Sequence, residues 1–256
     1  MKGTMFDRPL EYTLNVSGER WRQGDKVQGA LIIKNHSNES FKLSGIKLSL
    51  ASGEYKDVRK GNAEGLVIEK DILFLQDVII AASDMLHTPW EFQLKDDCNI
   101  TDKSGGYFLA YGAIEANKVN ASLELCVDVI EPIDQFITIF ENFFRFKATA
   151  KKYKKGHVEI KFSPPGASKE MSAVEALTCD MRLNDKNLEI KYNFKLKKLI
   201  AGGVDVASVK VERQNKFFEQ RLSAKEYSSW GGAPNQEIII VKIKEVLREV
   251  VPKIIY

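Results

Sequence analysis

From Leu14 almost to its end, this chain repeats apolar residues with a period of two. Val27, Gly29, Leu31 and Ile33 share one parity. So do Trp90, Phe92 and Leu94; Leu123, Leu125, Val127 and Val129; and Leu188, Ile190, Tyr192, Phe194 and Leu196. A two-residue period turns one side of a segment to a core and leaves Lys, Glu, Ser and Asn on the other. Runs of this kind, broken by Gly, Asn, Asp and Ser, predict sheets stacked on sheets. A scaffold of that class more often binds than catalyses.

With 256 residues, 44% hydrophobic and 29% charged, the chain has room for one large domain or two ordinary ones. Charge separates the halves. Residues 1–133 hold 15 Lys+Arg and 20 Asp+Glu, a net of −5; residues 134–256 hold 23 and 15, a net of +8. The change of sign coincides with Glu131-Pro132, read here as a strand stop because proline lacks the ladder donor. Two domains are therefore expected, 1–133 and 134–256, the second attractive to anions.

In the first half, Tyr12 to Val16 and Lys26 to Lys34 read as strands joined through Gln23-Gly24-Asp25. The parity switch at Ser44-Gly45 reads as a β-bulge. Leu66 to Ile80 reads as two strand pieces broken by Glu69-Lys70-Asp71. Pro89 to Leu94, Tyr107 to Ala113 and Ser122 to Ile130 complete the set. After the boundary, Phe136, Ile139, Phe140 and Phe143 recur at helical spacing, with Asp134 as N-cap. This segment, Phe144 included, is expected to pack between the domains. The alternative is a membrane-surface or partner helix.

The second half again alternates: Val158 to Phe162, Leu177 to Leu183, Leu188 to Leu199, Val204 to Arg213 and Phe217 to Leu222. Asn184 to Asn187 reads as a hairpin loop and Gln214-Asn215-Lys216 as a second turn. Ser223-Ala224-Lys225-Glu226 matches a capping box. Residues 236–250, with Ile239, Ile243, Val246, Leu247 and Val250, read as an amphipathic helix capped by Asn235; a strand is the alternative for 237–243.

Several of these segments resemble the arrestin-like family. Leu14-Asn15-Val16 and the run Gly24 to Asn35 are similar to its opening strands, where a Gly-acid pair turns the chain and a later Gly sits within the second strand. Pro89 to Leu94 is similar to a later aromatic-rich strand, and Gly106 and Tyr111 match the small residue and tyrosine of the next strand pair. The resemblance covers most of residues 10–132 and is closest in sense to the bacterial sporulation-control family; the retromer coat subunit of this fold is more distant. It implies an all-β chain: two tandem arrestin-like β-sandwiches, a short linker helix and a C-terminal helix. It also implies a regulatory or adaptor role. The buried charged cluster that holds signalling arrestins inactive has no counterpart, so receptor-phosphate sensing is not implied.

Recognisable catalytic patterns are missing from the sequence. His36, His87 and His157 stand apart, without a second group at ligand or general-base spacing. Gly105-Gly106, Gly202-Gly203 and Gly231-Gly232 lack the Lys-Ser/Thr of a phosphate loop. Asp96, Asp97 and Asp102 loosely suggest a calcium loop, but the Gly and the terminal Glu are not at EF-hand positions. Cys98, Cys126 and Cys179 form no CxxC, and neither metal nor cofactor is expected. Five Asn-x-Ser/Thr matches, at Asn15, Asn35, Asn38, Asn99 and Asn120, read as turns and strand edges, because residues 1–10 carry Lys2, Asp7 and Arg8 and no apolar h-region. The chain is expected in the cytoplasm.

One run stands out. Arg145, Lys147, Lys151, Lys152, Lys154 and Lys155 place six cations in eleven residues, interleaved with Phe146 and Tyr153. The plain reading is a solvated strand edge kept basic against aggregation. The sharper one is a docking patch for an anionic membrane surface or an acidic protein; nucleic acid is disfavoured, because no nucleic-acid-binding motif accompanies the charge. The expected function is a non-enzymatic scaffold or regulator of protein partners. A membrane adaptor using 136–155 and an enzyme whose site is invisible in sequence are the alternatives.

Overall fold

The computed structural model describes residues 1–59, 65–114, 121–166, 170–201, 209–229 and 232–250. The chain divides into two compact units, Met1–Asp128 and Val129–Tyr256.

The first unit runs β1 (Lys2–Asp7), β2 (Leu10–Val16), β3 (Trp21–Arg22), β4 (Lys26–Asn35), β5 (Phe41–Glu54), α1 (Tyr55–Val58), β6 (Leu66–Ile80), β7 (Met85–Gln93), β8 (Gly105–Ala113), β9 (Ala121–Leu125) and β10 (Val127–Asp128). Two four-stranded sheets, ordered β1-β2-β4-β7 and β6-β5-β8-β9, enclose one core; β3 and β10 form a short parallel pair. Tyr12, Leu14, Leu31, Ile33 and Trp90 line it from one sheet and Ile46, Leu48, Leu109 and Tyr111 from the other. Tyr12, Leu31 and Ile33 lie on the alternating faces that the period assigns to a core. Gly24 turns the chain with φ 86°, and the Asp25 carboxylate accepts the Arg22 amide at 2.6 Å. Gly29 sits where a Cβ would lie 2.0 Å from the Asn15 carbonyl oxygen and 2.6 Å from the Trp90 ring. Pro89 falls on β7, an edge strand, where a missing donor is tolerated.

Asn35 shows what the sequon matches do. Its side chain is fully buried, and Nδ2 donates to the carbonyls of Glu39 (2.8 Å), Ala81 (3.0 Å) and Ile80 (3.2 Å) while Oδ1 accepts the Ser37 amide (2.9 Å). A glycan on Nδ2 is incompatible with this pocket. Asn35→Ala leaves buried carbonyls unpaired and is expected to cost about 2–3 kcal/mol in urea unfolding; a loss within experimental error would show that water replaces the side chain.

The second unit runs α2 (Glu131–Asn142), β11 (Lys147–Lys154), β12 (His157–Ser163), a 3₁₀ turn (Glu170–Ala173), β13 (Val174–Asn184), β14 (Asn187–Ala201), β15 (Val209–Leu222), α3 (Ala224–Tyr227) and α4 (Gln236–Val250). Its strands form one antiparallel sheet in sequence order, β11 to β15. The second layer on that sheet is helical. Phe140 of α2 stacks on Phe162 of β12 with centroids 5.0 Å apart, and Phe136 meets Tyr192 of β14. Gln220 Nε2 of β15 donates to the Lys242 carbonyl of α4. Asp185 and Lys186, both at positive φ, close the β13–β14 hairpin as a two-residue primed turn. The Ser223–Glu226 capping box is formed.

Five local expectations are corrected, and the terminal helix forms as expected. Pro132 does not stop a strand: it lies in the first turn of α2, after Ile130 as N-cap, where its missing N–H has no partner to lose. The helix therefore starts three residues before Asp134 and ends at Asn142. Residues 214–216 are not a turn, because β14 is long enough to pair Gln214, Asn215 and Lys216 with Leu196, Lys195 and Phe194. Leu66 to Ile80 is one strand, with register shifts opposite Leu48/Ser49 and Leu50/Ala51; no shift falls at Ser44-Gly45. The α4 segment is helical through 237–243, with its five periodic apolar residues buried. Gly202-Gly203 and Asn120 lie outside the described residues, as does most of the run before Val209.

Candidate functional site

Exposed strand edges are where this architecture offers unused backbone hydrogen bonds. Among the described residues of the first unit, β6 pairs with β5 on one side only. It runs for 15 residues and exposes Val67, Ile68, Phe74 and Ile79, the last two 52% and 67%. Ile72, Leu73, Leu75 and Val78 pack against the core, and Ile80 is buried in it. Asp71 is held by Ser49 Oγ at 2.8 Å and Lys47 at 3.0 Å, whereas Asp77 is largely exposed and only 3.8 Å from Lys42. Sequence reading missed this edge. Its signal was apolar residues on both parities, which is also how a strand buried on both faces looks.

The basic run falls on β11, an edge of the second sheet, and on its turn into β12. A register shift between Ala148 and Ala150 reverses the parity. Lys151 and Tyr153 consequently pair with the buried Ile160 and Val158 on the core-facing side, while Lys152 and Lys154 face outward beside Glu159 and His157. Lys154 is ion-paired with Glu159. Arg145, Lys147, Lys152 and Lys155 are exposed and have no carboxylate partner among the described residues. A bulge and an inward-facing lysine are devices that keep an edge from pairing.

The aromatic segment builds the core of the second unit. Phe136 and Phe140 are fully buried and Phe144 is 6% exposed, so these rings are closed to a partner or membrane. Phe143 alone of the four is turned out, 49% exposed, with Lys244 Nζ 5.1 Å from its ring centroid.

Elsewhere several charged groups pair with one another. A depression of about 300 Å³ on β13 to β15 is lined by Arg182, Glu189, Lys191, Glu219 and Arg221. Glu189 takes Arg182 at 2.6 Å and Arg221 at 4.0 Å, and Lys191 pairs with Glu219 at 3.0 Å. The Arg182 hydrogen bond holds the Glu189 carboxyl below its usual range. His36 pairs with Glu11 and His157 lies 3.7 Å from Asp180. Asp102 accepts the Ser104 amide and hydroxyl. Burial pushes the Cys98 thiol up to about 12 and the Cys179 thiol well above its ordinary value, which leaves both inert. Among the described residues no group of three or more His, Cys, Asp or Glu is placed to hold a metal, and no helix is long and apolar enough to cross a membrane.

No family model matches the chain, and no curated protein matches it. Among solved structures, the sporulation control protein Spo0M from Bacillus subtilis superposes over 94% of this chain and 98% of its own, with a TM-score of 0.59 at 15% identity. The chain has the arrestin-like fold of that protein. The likeness extends past residues 10–132 to both units, and at this identity it speaks for the fold alone. The Pseudomonas fluorescens alkylpurine DNA glycosylase AlkC bound to DNA also matches, at 13% identity over 45% of this chain and 29% of its own; its TM-score of 0.30 is too low for a shared fold.

Proposed function

We propose that this chain is a non-enzymatic regulatory or scaffold protein of the cytoplasm that binds other proteins through its first sandwich. The observation that supports this most is the outer edge of β6: a long strand with a free ladder and exposed Phe74 and Ile79. An extended partner segment adds to such an edge through backbone hydrogen bonds and takes its specificity from alternate side chains. Between Leu73 and Gln76 the strand keeps unbroken register with β5, so a fourth-to-fifth strand extension meets a regular ladder there. Exposed Asp77 and the −5 charge of residues 1–133 favour a partner segment that carries a cation among its apolar residues. The likeness to a sporulation control protein is in keeping with a regulatory role.

The test is capture from the native cytoplasm with the full chain and with the double variant Phe74→Lys, Ile79→Lys. Both positions are exposed, so the variant's unfolding free energy is expected to stay within about 0.5 kcal/mol of the parent's. A partner held by the parent and lost from the folded variant supports the edge. Partners that bind both equally would displace it, and substrate turnover abolished by a single point change would displace the non-enzymatic reading.

A further inference from the structure

Two features of the second unit meet at the start of β11. Phe143 closes α2 with its ring half exposed beside Lys244. Arg145 then turns the chain at φ 60°, Phe146 drops into the core, and the Ala148 amide donates to Glu141 Oε1 at 3.0 Å, which ties the strand to the last turn of the helix. From here the exposed cations Lys147, Lys152 and Lys155 follow β11 over about 25 Å, and Lys161 stands exposed on β12 beside them. Residues 143–163 contain seven Lys and Arg against one acid, Glu159, a net of +6.

Edge protection does not require this much charge. The bulge at Thr149 and the core-facing Lys151 already blunt the strand. The remaining cations repel one another, and an anionic surface relieves that repulsion. Their spread along a whole strand matches a plane of phosphates rather than a single phosphate group. Phe143, exposed two residues before Arg145 and beside Lys244, supplies what a purely solvated edge would lack, an apolar anchor at headgroup depth.

We propose that the β11 edge, with Phe143 at its end, docks the second unit onto an anionic phospholipid bilayer. The proposal stands apart from the β6 reading, which concerns another unit and another edge. It is tested by sedimenting the full chain with vesicles of phosphatidylcholine, with and without phosphatidylglycerol, at low and at physiological salt. Binding is expected only with phosphatidylglycerol and is expected to weaken with salt. The variant Lys147→Gln, Lys152→Gln, Lys155→Gln is expected to bind about a hundredfold more weakly, about fivefold per cation, with an unchanged melting temperature. Phe143→Ser is expected to remove the fraction of binding that survives physiological salt. No binding of the parent at low salt overturns the proposal. So does a triple variant that binds as the parent does, or a parent that leaves the vesicles for DNA or heparin in direct competition.

Discussion

Replacing Phe140 by alanine is expected to destabilise the second unit by about 3–5 kcal/mol, the cost of truncating a fully enclosed phenylalanine. The ring is fully buried and central to an aromatic cluster: Phe162 stacks on it at 5.0 Å, Phe136 lies at 5.2 Å, Phe146 meets it edge-on at 5.4 Å and Phe144 at 5.8 Å. Helix and sheet both contribute to that cluster, so neither collapses easily into the space left behind, and the cavity persists. Phe143→Ala, three residues on, removes an exposed ring and is expected to cost less than about 1 kcal/mol. Denaturant unfolding combined with amide exchange provides the measurement, with the largest loss of protection expected in β12 to β14. Equal effects of the two substitutions would mean that the α2 rings do not form the core of this unit.

A second large effect is expected at Gly29. Alanine there places a Cβ 2.0 Å from the Asn15 carbonyl oxygen of β2 and 2.6 Å from the Trp90 ring of β7. The first neighbour is backbone in a paired strand and the second a buried indole, so neither yields without parting the sheet. Overpacking of this kind commonly costs 1–3 kcal/mol, and a clash with backbone belongs at the upper end, about 3 kcal/mol. A shift in the near-ultraviolet signal of Trp90 should accompany it. A Gly29→Ala protein as stable as its parent would show that β2 and β4 separate without cost at Val16↔Gly29.

Local chemistry explains which elements were legible. The β4, β7 and β14 segments announce themselves by parity, because each buries one face and wets the other. Asn184 to Asn187 reads as a hairpin because Asp185 and Lys186 close a two-residue loop between alternating runs. The terminal helix reads from Ile239, Ile243 and Leu247 at intervals of four. Misreadings occur where a distant partner overrides a local signal. Gln214-Asn215-Lys216 has turn composition, but β14 pairs with every residue of it. Pro132 breaks a strand or opens a helix equally well, and the burial of Ile133, Phe136 and Phe140 decides for the helix.

The candidate surfaces divide in the same way. The six cations and the four phenylalanines are visible in the chain, but their roles are not. Parity alone would put Lys151 and Tyr153 on the face of Lys147 and Thr149; only the bulge turns them toward Ile160 and Val158 while leaving Lys152 outside. Spacing alone makes Phe143 the equal of Phe140, yet one ends a helix in solvent and the other is sealed beneath Phe162. Strand periods, the Asn184–Asn187 hairpin and the half that carries positive charge are legible in the chain alone, because side-chain period, hairpin chemistry and formal charge are properties of neighbouring residues. Sheet order, the free edges of β6 and β11, and the division of lysines into paired and unpaired were decided by tertiary structure, because each depends on hydrogen bonds and burial between residues far apart in the chain.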